Sequence, residues 1–368
     1  SISLSLINQI NHRGPDDSGF WIDHNDGISL CHTRLSIIDL SKNGAQPMAS
    51  NSKNLIISYN GEIYNKEFIK SLLIKKGVQF KGTSDTEVLL EACDKLGIEK
   101  TLNLLIGMFS FALWDKNKKK LFLVRDRLGI KPLYYGFNNG YFFFTSELKI
   151  LKNLKSEFHL SINKQALSNF LSYSYIKNPE TIYENIYKLE PGSILSVNLN
   201  GETNIQKYWQ LGNFISEKYN TKINEKEFIS EIDDLIHDSV RQRMLADVPI
   251  GCFLSGGIDS SLVASIMQKN STSKINTFTI GFKESNYNEA IYAKKIAEHL
   301  NTNHNEFYFS DSEALDSELI ITDAELSELD LGELDAQLPP VDDMSLSVDI
   351  SELSDAQLDM SIDNLVDM

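Results

Sequence analysis

The segment 254–261, with sequence LSGGIDSS, places two glycines, three serines and an aspartate within one short stretch. Glycines allow the backbone to approach a ligand closely, and free N–H groups at the start of a helix attract an anion. Ser255, Ser260 and Ser261 add hydroxyl donors, and Asp259 could hold Mg²⁺ against phosphate groups. No Gly-Lys-Ser/Thr follows, which excludes a Walker A loop. The segment predicts a phosphate-binding turn, the alternative being a glycine-rich turn without a ligand.

Charged and polar clusters recur at the ends of apolar runs in the first half of the chain. Any one of them favours an ordinary turn or a salt-bridged surface, whereas their joint occurrence favours a common site. The clusters are HRGPD (12–16), HTRLSIID (32–39), NGEIYN (60–65), GTSDTE (82–87) and RDRLGIKP (125–132).

The elements around these clusters differ between the two halves. Residues 1–209 are mainly β structure, with apolar strands and two helices, which is typical of a layered α+β domain. Residues 225–310 begin with an amphipathic helix and then alternate strand and helix, the pattern of a parallel doubly wound sheet. The expected strands are 55–59, 109–114, 121–124, 141–145, 249–254, 275–282 and 304–309, and the expected helices are 66–76, 84–96, 225–245, 261–268 and 288–300.

Length and composition bound the class of protein. The 368 residues include 42% hydrophobic ones, no run approaches the ~18 apolar residues of a membrane span, and no signal peptide is recognisable. The net charge of -16 comes from residues 311–368, which hold 18 acids and no base, so residues 1–310 carry +2. We expect a cytoplasmic protein with no membrane and no nucleic-acid partner, and an acidic tail without a core of its own.

The phosphate-binding turn resembles the pyrophosphate loop of the ATP pyrophosphatases, which split ATP into AMP and pyrophosphate to adenylate a carbonyl or carboxylate. This resemblance implies ATP and Mg²⁺ as cofactors, with Mg²⁺ on Asp259. Leu254 and Ile280 would contact the nucleotide, although plain core packing is an equal alternative for them. The implied ATP site comprises Leu254, Ser255, Gly256, Gly257, Asp259, Ser260 and Ile280.

The polar clusters resemble the class II glutamine amidotransferase domain of the asparagine synthetases, and the resemblance covers residues 1 to about 310. By that likeness Arg34 would pair with the α-carboxylate of glutamine, and Glu62 and Asp85 would hold its α-ammonium. The backbone at Ile37 and Ile38 would contribute further groups. Asn60 and Gly61 would form the oxyanion hole.

The resemblance also implies a fold and a reaction. Residues 1–209 would be an N-terminal-nucleophile-type αββα sandwich lacking its first strand, 210–310 a partial ATP-pyrophosphatase domain, and 311–368 a tail of unknown role. The reaction would convert aspartate and glutamine to asparagine and glutamate with ATP cleaved to AMP and pyrophosphate. The partners would be glutamine, ATP and aspartate or another carboxylate acceptor, and a homodimer is left open.

Two departures from the family pattern stand out. The family's N-terminal nucleophilic cysteine is absent before Ser1, and Cys31 is better explained as a core residue. The lysine-bearing part of the synthetase site has no counterpart in residues 311–368. We therefore expect the printed chain to be truncated and inactive. Two alternatives are an amidotransferase of surface-polysaccharide synthesis and a non-catalytic protein that binds a partner through its acidic tail.

Overall fold

The computed structural model describes residues 7–154, 158–214, 224–282 and 288–309. Ser1 and the acidic segment 311–368 lie outside the described residues. Within the described ranges the strands are β1 (Asp17–Asp23), β2 (Ile28–Arg34), β3 (Met48–Ala49), β4 (Leu55–Ile63), β5 (Gly107–Asp115), β6 (Lys120–Arg125), β7 (Tyr134–Asn138), β8 (Tyr141–Thr145), β9 (Ile186–Lys188), β10 (Ser193–Asn198), β11 (Thr203–Lys207), β12 (Gly251–Phe253), β13 (Asn276–Phe282) and β14 (Asn303–Phe309). The helices are α1 (Lys66–Ile74), α2 (Asp85–Leu96), α3 (Ile98–Leu104), α4 (Lys164–Tyr173), α5 (Glu225–Gln242), α6 (Ile258–Asn270) and α7 (Ala290–Leu300).

A six-stranded antiparallel sheet, in the order β11-β10-β6-β5-β4-β3, is the centre of the first half. Successive side chains of a strand point to opposite faces, and both faces of this sheet are covered. Ile57 and Phe111 pack into one core, while Ile56 and Trp114 pack into the other. The apolar runs that predicted β4, β5, β6 and β8 are confirmed as strands.

Helices α1, α2 and α3 cover the first face of this sheet. Helix α2 begins where the Ser84 side chain accepts a hydrogen bond from the Glu87 N–H, so the predicted start at Ser84 is confirmed as an N-cap. The sequence analysis missed α3 and α4. Helix α3 begins directly after Gly97, which separates it from α2. The φ of Gly97 is +84°, a conformation that glycine adopts readily and that ends the first helix.

A second layer of strands covers the other face of the six-stranded sheet. The hairpin β1-β2 and the three-stranded antiparallel sheet β8-β7-β9 contribute Trp21, Leu30 and Phe144 to the core that contains Trp114. A 3-10 helix, Leu148–Leu154, packs outside that layer through Ile150 and Leu151. The first half is therefore a layered α+β structure, as predicted.

The second half contains a parallel sheet in the order β12-β13-β14, connected by α6 and α7. Helices α5, α6 and α7 share one core with the helix-facing side of this sheet. On the opposite side Phe253, Ile280 and Phe307 are 78%, 50% and 56% exposed. The parallel strands are confirmed. The described helices, however, pack into a single core, whereas a doubly wound sheet carries helices on both faces.

Candidate active site

A cleft of about 1200 Å³ opens in the first half of the molecule, between the six-stranded sheet and the second strand layer. All of the residues that the resemblance assigned to glutamine line this one cleft, although they come from three separate segments of the sequence. They are Arg34, Ile37, Ile38, Asn60, Gly61, Glu62 and Asp85. The polar clusters of the sequence therefore meet at a common site.

Arg34 ends β2 and is buried at the cleft wall. Its guanidinium donates to the carbonyl oxygens of Asp39 and, at 3.0 Å, of Ser41. The side chain thus closes the loop 35–41 onto itself. A guanidinium carries five N–H donors in a rigid fork, so these two bonds leave further donors for a carboxylate.

The carboxylates of Glu62 and Asp85 lie in the same part of the cleft. Burial raises the pKa of Glu62, and the negative charge of Asp85 raises it further. Burial also raises the pKa of Asp85, against the hydrogen bonds from the Tyr59 hydroxyl (2.7 Å) and the Ile63 N–H (3.0 Å). Two acids that resist ionisation next to each other form a site that a ligand cation would stabilise.

Asn60 and Gly61 lie in the middle of β4, opposite Ser110 and Phe109 of β5. A Cβ atom on Gly61 would collide with the carbonyl oxygen of Met108, so the two strands can approach this closely only with glycine there. Asn60 and Gly61 directly precede Glu62 on β4. The backbone of these two residues therefore lines the cleft beside the carboxylate of Glu62.

In the RDRLGIKP cluster, some residues hold the backbone of the turn and another lines the cleft. Arg125 donates to the carbonyl oxygens of Gly129, Lys131 and Leu189, and Asp126 accepts the N–H groups of Leu128, Ile130 and Lys131. Both residues are buried, and their bonds fix the turn that carries Lys131 into the cleft wall. Burial lowers the pKa of Lys131, and the nearby charge of Arg13 lowers it further.

Cys31 and His32 of β2 lie at the cleft, and Cys31 differs from expectation. Cys31 is half-buried and lines the cleft rather than the core, whereas Cys93 and Cys252 are core residues. Burial, followed by the charge of Arg34, lowers the pKa of His32 to about 4. The imidazole of His32 is therefore neutral at physiological pH.

The phosphate-binding turn lies between β12 and α6, as predicted. Gly256 has a φ of +89°, and Gly257 caps α6. The hydroxyls of Ser255 and Ser260 lie 3.0 Å apart, and they accept the N–H groups of Gly257 and Ser255, respectively. The turn thus satisfies its own donors through side chains that can rotate toward an anion.

The remaining residues predicted to contact ATP differ in how deeply their side chains are buried. The Leu254 side chain is 1% exposed and packs in the core, so only its backbone faces the turn, where its carbonyl oxygen accepts the Thr279 hydroxyl. Ile280 is 50% exposed, and Asp259 lies exposed in the first turn of α6. Among the described residues no three His, Cys, Asp or Glu side chains cluster as metal ligands, so a cation at Asp259 would need phosphate oxygens as well.

Sequence reasoning missed two residues of the segment between α5 and β12. The Arg243 guanidinium lies 4.4 Å from the ring centre of Tyr64, which is two residues after Glu62 in the chain. Asp247 hydrogen-bonds the backbone of Ile37 and Asp39. These contacts join positions about 200 residues apart, which no local pattern reveals.

No helix in the described parts of the chain combines the length and apolar character needed to span a bilayer.

Comparisons with known proteins agree with the two halves. Residues 2–209 match the family described as "Glutamine amidotransferase domain", and residues 231–327 match the family described as "Asparagine synthase". The second match extends past residue 310 into the acidic segment.

Individual relatives carry corresponding names. A putative glutamine-hydrolysing asparagine synthetase of Methanocaldococcus jannaschii is 39% identical over 83% of this chain and 61% of the relative. Asparagine synthetase 1 of Bacillus subtilis is 38% identical over 79% of this chain and 45% of the relative. The chain thus spans roughly half the length of these relatives.

Among solved structures, the glutamine phosphoribosylpyrophosphate amidotransferase of B. subtilis aligns with 87% of this chain and 68% of its own, at 16% identity and a TM-score of 0.43. That score is too low to support an inference about this chain. The glutamine amidotransferase match alone covers more than half of the residues of this chain. The chain therefore belongs to the family that joins a glutamine amidotransferase domain to an asparagine synthase domain, that of the glutamine-hydrolysing asparagine synthetases.

Proposed function

We propose that the protein functions in ATP-dependent asparagine synthesis, in which glutamine, aspartate, ATP and water give asparagine, glutamate, AMP and pyrophosphate. The observation that carries this proposal is the cleft, because it gathers the buried Arg34, the buried Asp85 and the half-buried Glu62 beside one glycine-containing strand. That set matches an amino acid that bears both an α-carboxylate and an α-ammonium group.

In this proposal Arg34 pairs with the α-carboxylate, and Glu62 and Asp85 bind the α-ammonium of glutamine. The raised pKa values of the two acids support these roles, since a bound cation would favour their ionised forms. The backbone of Ile37 and Ile38 borders the bound amino acid. The N–H groups of Asn60 and Gly61 stabilise the tetrahedral intermediate of amide hydrolysis.

We assign residues 1–209 to a glutaminase domain of the N-terminal-nucleophile αββα type. The stacking of helices, sheet and second strand layer supports this assignment. Residues 210–310 form the start of a synthetase domain of the ATP-pyrophosphatase type, supported by its parallel β12-β13-β14 sheet. The role of residues 311–368 stays open.

The turn 255–260 binds the phosphates of ATP through the α6 N-terminus and the hydroxyls of Ser255 and Ser260, around Gly256 and Gly257. Bound Mg²⁺ would neutralise phosphate charge, and the exposed carboxylate of Asp259 is suitably placed to hold it. Aspartate is the proposed acceptor because the asparagine synthase match begins at residue 231 and includes this turn.

Isothermal titration calorimetry with glutamine tests the proposal on the chain as it stands. Wild type should bind glutamine, and Arg34→Ala should weaken binding about 100-fold, because a buried charged partner is lost. Glutaramate, which is glutamine without its α-amino group, should bind weakly to wild type because it leaves Glu62 and Asp85 unpaired. Arg241→Ala removes an exposed arginine of α5 and should bind like wild type.

Two results would contradict the assignment of the cleft. One is a wild-type chain that binds no glutamine at millimolar concentration. The other is equal affinity for glutamine and glutaramate, since the two acids would then have no role in recognition.

A further inference from the structure

Asp247 makes a two-point contact with the loop that follows β2. Its Oδ2 accepts the N–H of Asp39 at 2.8 Å, and its own N–H donates to the carbonyl oxygen of Ile37 at 3.1 Å. Ile37 borders the cleft and Asp39 directly follows Ile38, another residue of the cleft wall. The contact therefore holds backbone that faces the proposed glutamine position.

The backbone at Asp39 needs such support. Asp39 has a φ of +57°, in the left-handed region that few non-glycine residues adopt. Its carboxylate accepts the N–H groups of Ser41 (3.1 Å) and Thr83 (2.7 Å), which anchors the side chain. The Asp247 carboxylate satisfies the remaining N–H of Asp39 itself. Without that acceptor the loop would lose one of the contacts that select this conformation.

The segment 243–247 contacts the opposite side of the cleft as well. Arg243 lies over the ring of Tyr64, and its charge acts on Glu62. One short segment therefore reaches both the loop at Ile37 and the strand end at Glu62. The same segment leads into β12 and from there into the phosphate-binding turn at Ser255.

The two partners of this contact belong to different family matches. Ile37 and Asp39 lie in the glutamine amidotransferase match, and Asp247 lies in the asparagine synthase match. The hydrogen bonds at Asp247 thus connect the half that would hydrolyse glutamine with the half that would use ATP. A connection through directed bonds to a left-handed residue is sensitive to small displacements of either half.

We propose that Asp247 is a positioning residue for glutamine: it holds the Ile37–Asp39 backbone in its binding conformation, so that a residue of the synthetase half sets the affinity of the amidotransferase half. This inference rests on the proposed function of the cleft. Asp247 touches the loop rather than the ligand, and its effect on glutamine is transmitted through the backbone.

The test combines glutamine calorimetry with amide hydrogen exchange of residues 36–41. Asp247→Ala should weaken glutamine binding about tenfold and accelerate exchange at Asp39, because the acceptor of that N–H is removed. Asp247→Asn keeps an acceptor oxygen and should recover most of the affinity. The matched control is Asp234→Ala on the exposed side of α5, which should change neither measurement.

The possible results separate clearly. Unchanged affinity and unchanged exchange in Asp247→Ala would overturn the proposal, and so would faster exchange with unchanged affinity. Should Asp247→Ala fail to fold, Asp247→Asn decides, with exchange compared against wild type. A wild-type chain that binds no glutamine would overturn the function of the cleft, while exchange at Asp39 would still show whether Asp247 holds the loop.

Discussion

The cleft draws its polar groups from segments that range from Arg13 to Asn200, whereas the turn between β12 and α6 takes its groups from 254–261 alone. In the cleft Arg34 and Asp85 are buried and Glu62 is half-buried. The turn is exposed, and its hydroxyls bond to neighbours within the turn.

The difference teaches how each site controls its chemistry. In the cleft, burial raises the pKa values of Glu62 and Asp85, and the negative charge of Asp85 raises that of Glu62 further. In the turn, backbone conformation supplies the binding groups, and the surrounding core only holds the turn in place. Substitutions should therefore act through electrostatics in the cleft and through backbone geometry and packing at the turn.

The largest effect should come from the core beneath the turn. Leu254→Ala should lower the free energy of unfolding by about 3 kcal/mol, because it leaves a cavity under a fully buried side chain. Ile280→Ala is the control, since its half-exposed side chain should cost less than about 1 kcal/mol while ATP binding weakens. Urea unfolding and ATP titration measure both quantities. A Leu254→Ala chain of unchanged stability but impaired ATP binding would contradict this prediction, since Leu254 would then contact ATP rather than stabilise the core.

A smaller effect should follow from the backbone of the turn. Gly256→Ala should destabilise the second half by about 2 kcal/mol, because alanine is strained at a φ of +89° and its Cβ would lie 2.7 Å from the Tyr292 Cβ. Gly257→Ala is the matched control, since its Cβ would meet only the Ser255 hydroxyl at 3.4 Å. Thermal unfolding compares the two variants. Equal losses in both would show that the left-handed backbone is not what the turn requires.

The smallest effect should appear in the cleft as a pH dependence. The raised pKa of Glu62 means that its stabilising contribution is complete below the ordinary value of 4.5 and is lost as the pH rises through the folded-state value. Glu62→Gln should therefore raise the melting temperature of the unliganded chain at pH 7, on the order of 1 °C, and this gain should vanish below about pH 4.5. Differential scanning calorimetry across that range measures it.

Glu184→Gln, at an exposed glutamate between α4 and β9, is the control for this profile and should show no such gain. A destabilised Glu62→Gln chain at pH 7 would indicate that the Glu62 carboxylate is stabilised by its neighbours. Lys131, Lys66 and Arg243 are the cations that oppose the effect of burial there.

Local patterns were sufficient for much of the fold. The β-branched and aromatic runs of β4, β5 and β6 alternate between two cores, and Ser84 marked the start of α2 through its capping bond. Local patterns failed at α3, because Gly97 divides a continuous helical stretch, and they do not say which face of the parallel sheet a helix covers.

The sequence by itself determined the glycine- and serine-rich turn between β12 and α6 and the composition of the polar clusters, since both depend on residues that are neighbours in the chain. Only the tertiary structure decided that Arg34, Glu62 and Asp85 share one cleft, that Leu254 is buried while Ile280 is exposed, and that Asp247 holds the backbone at Asp39. Contacts between distant segments depend on how elements pack, and burial then sets the charge state of the groups enclosed.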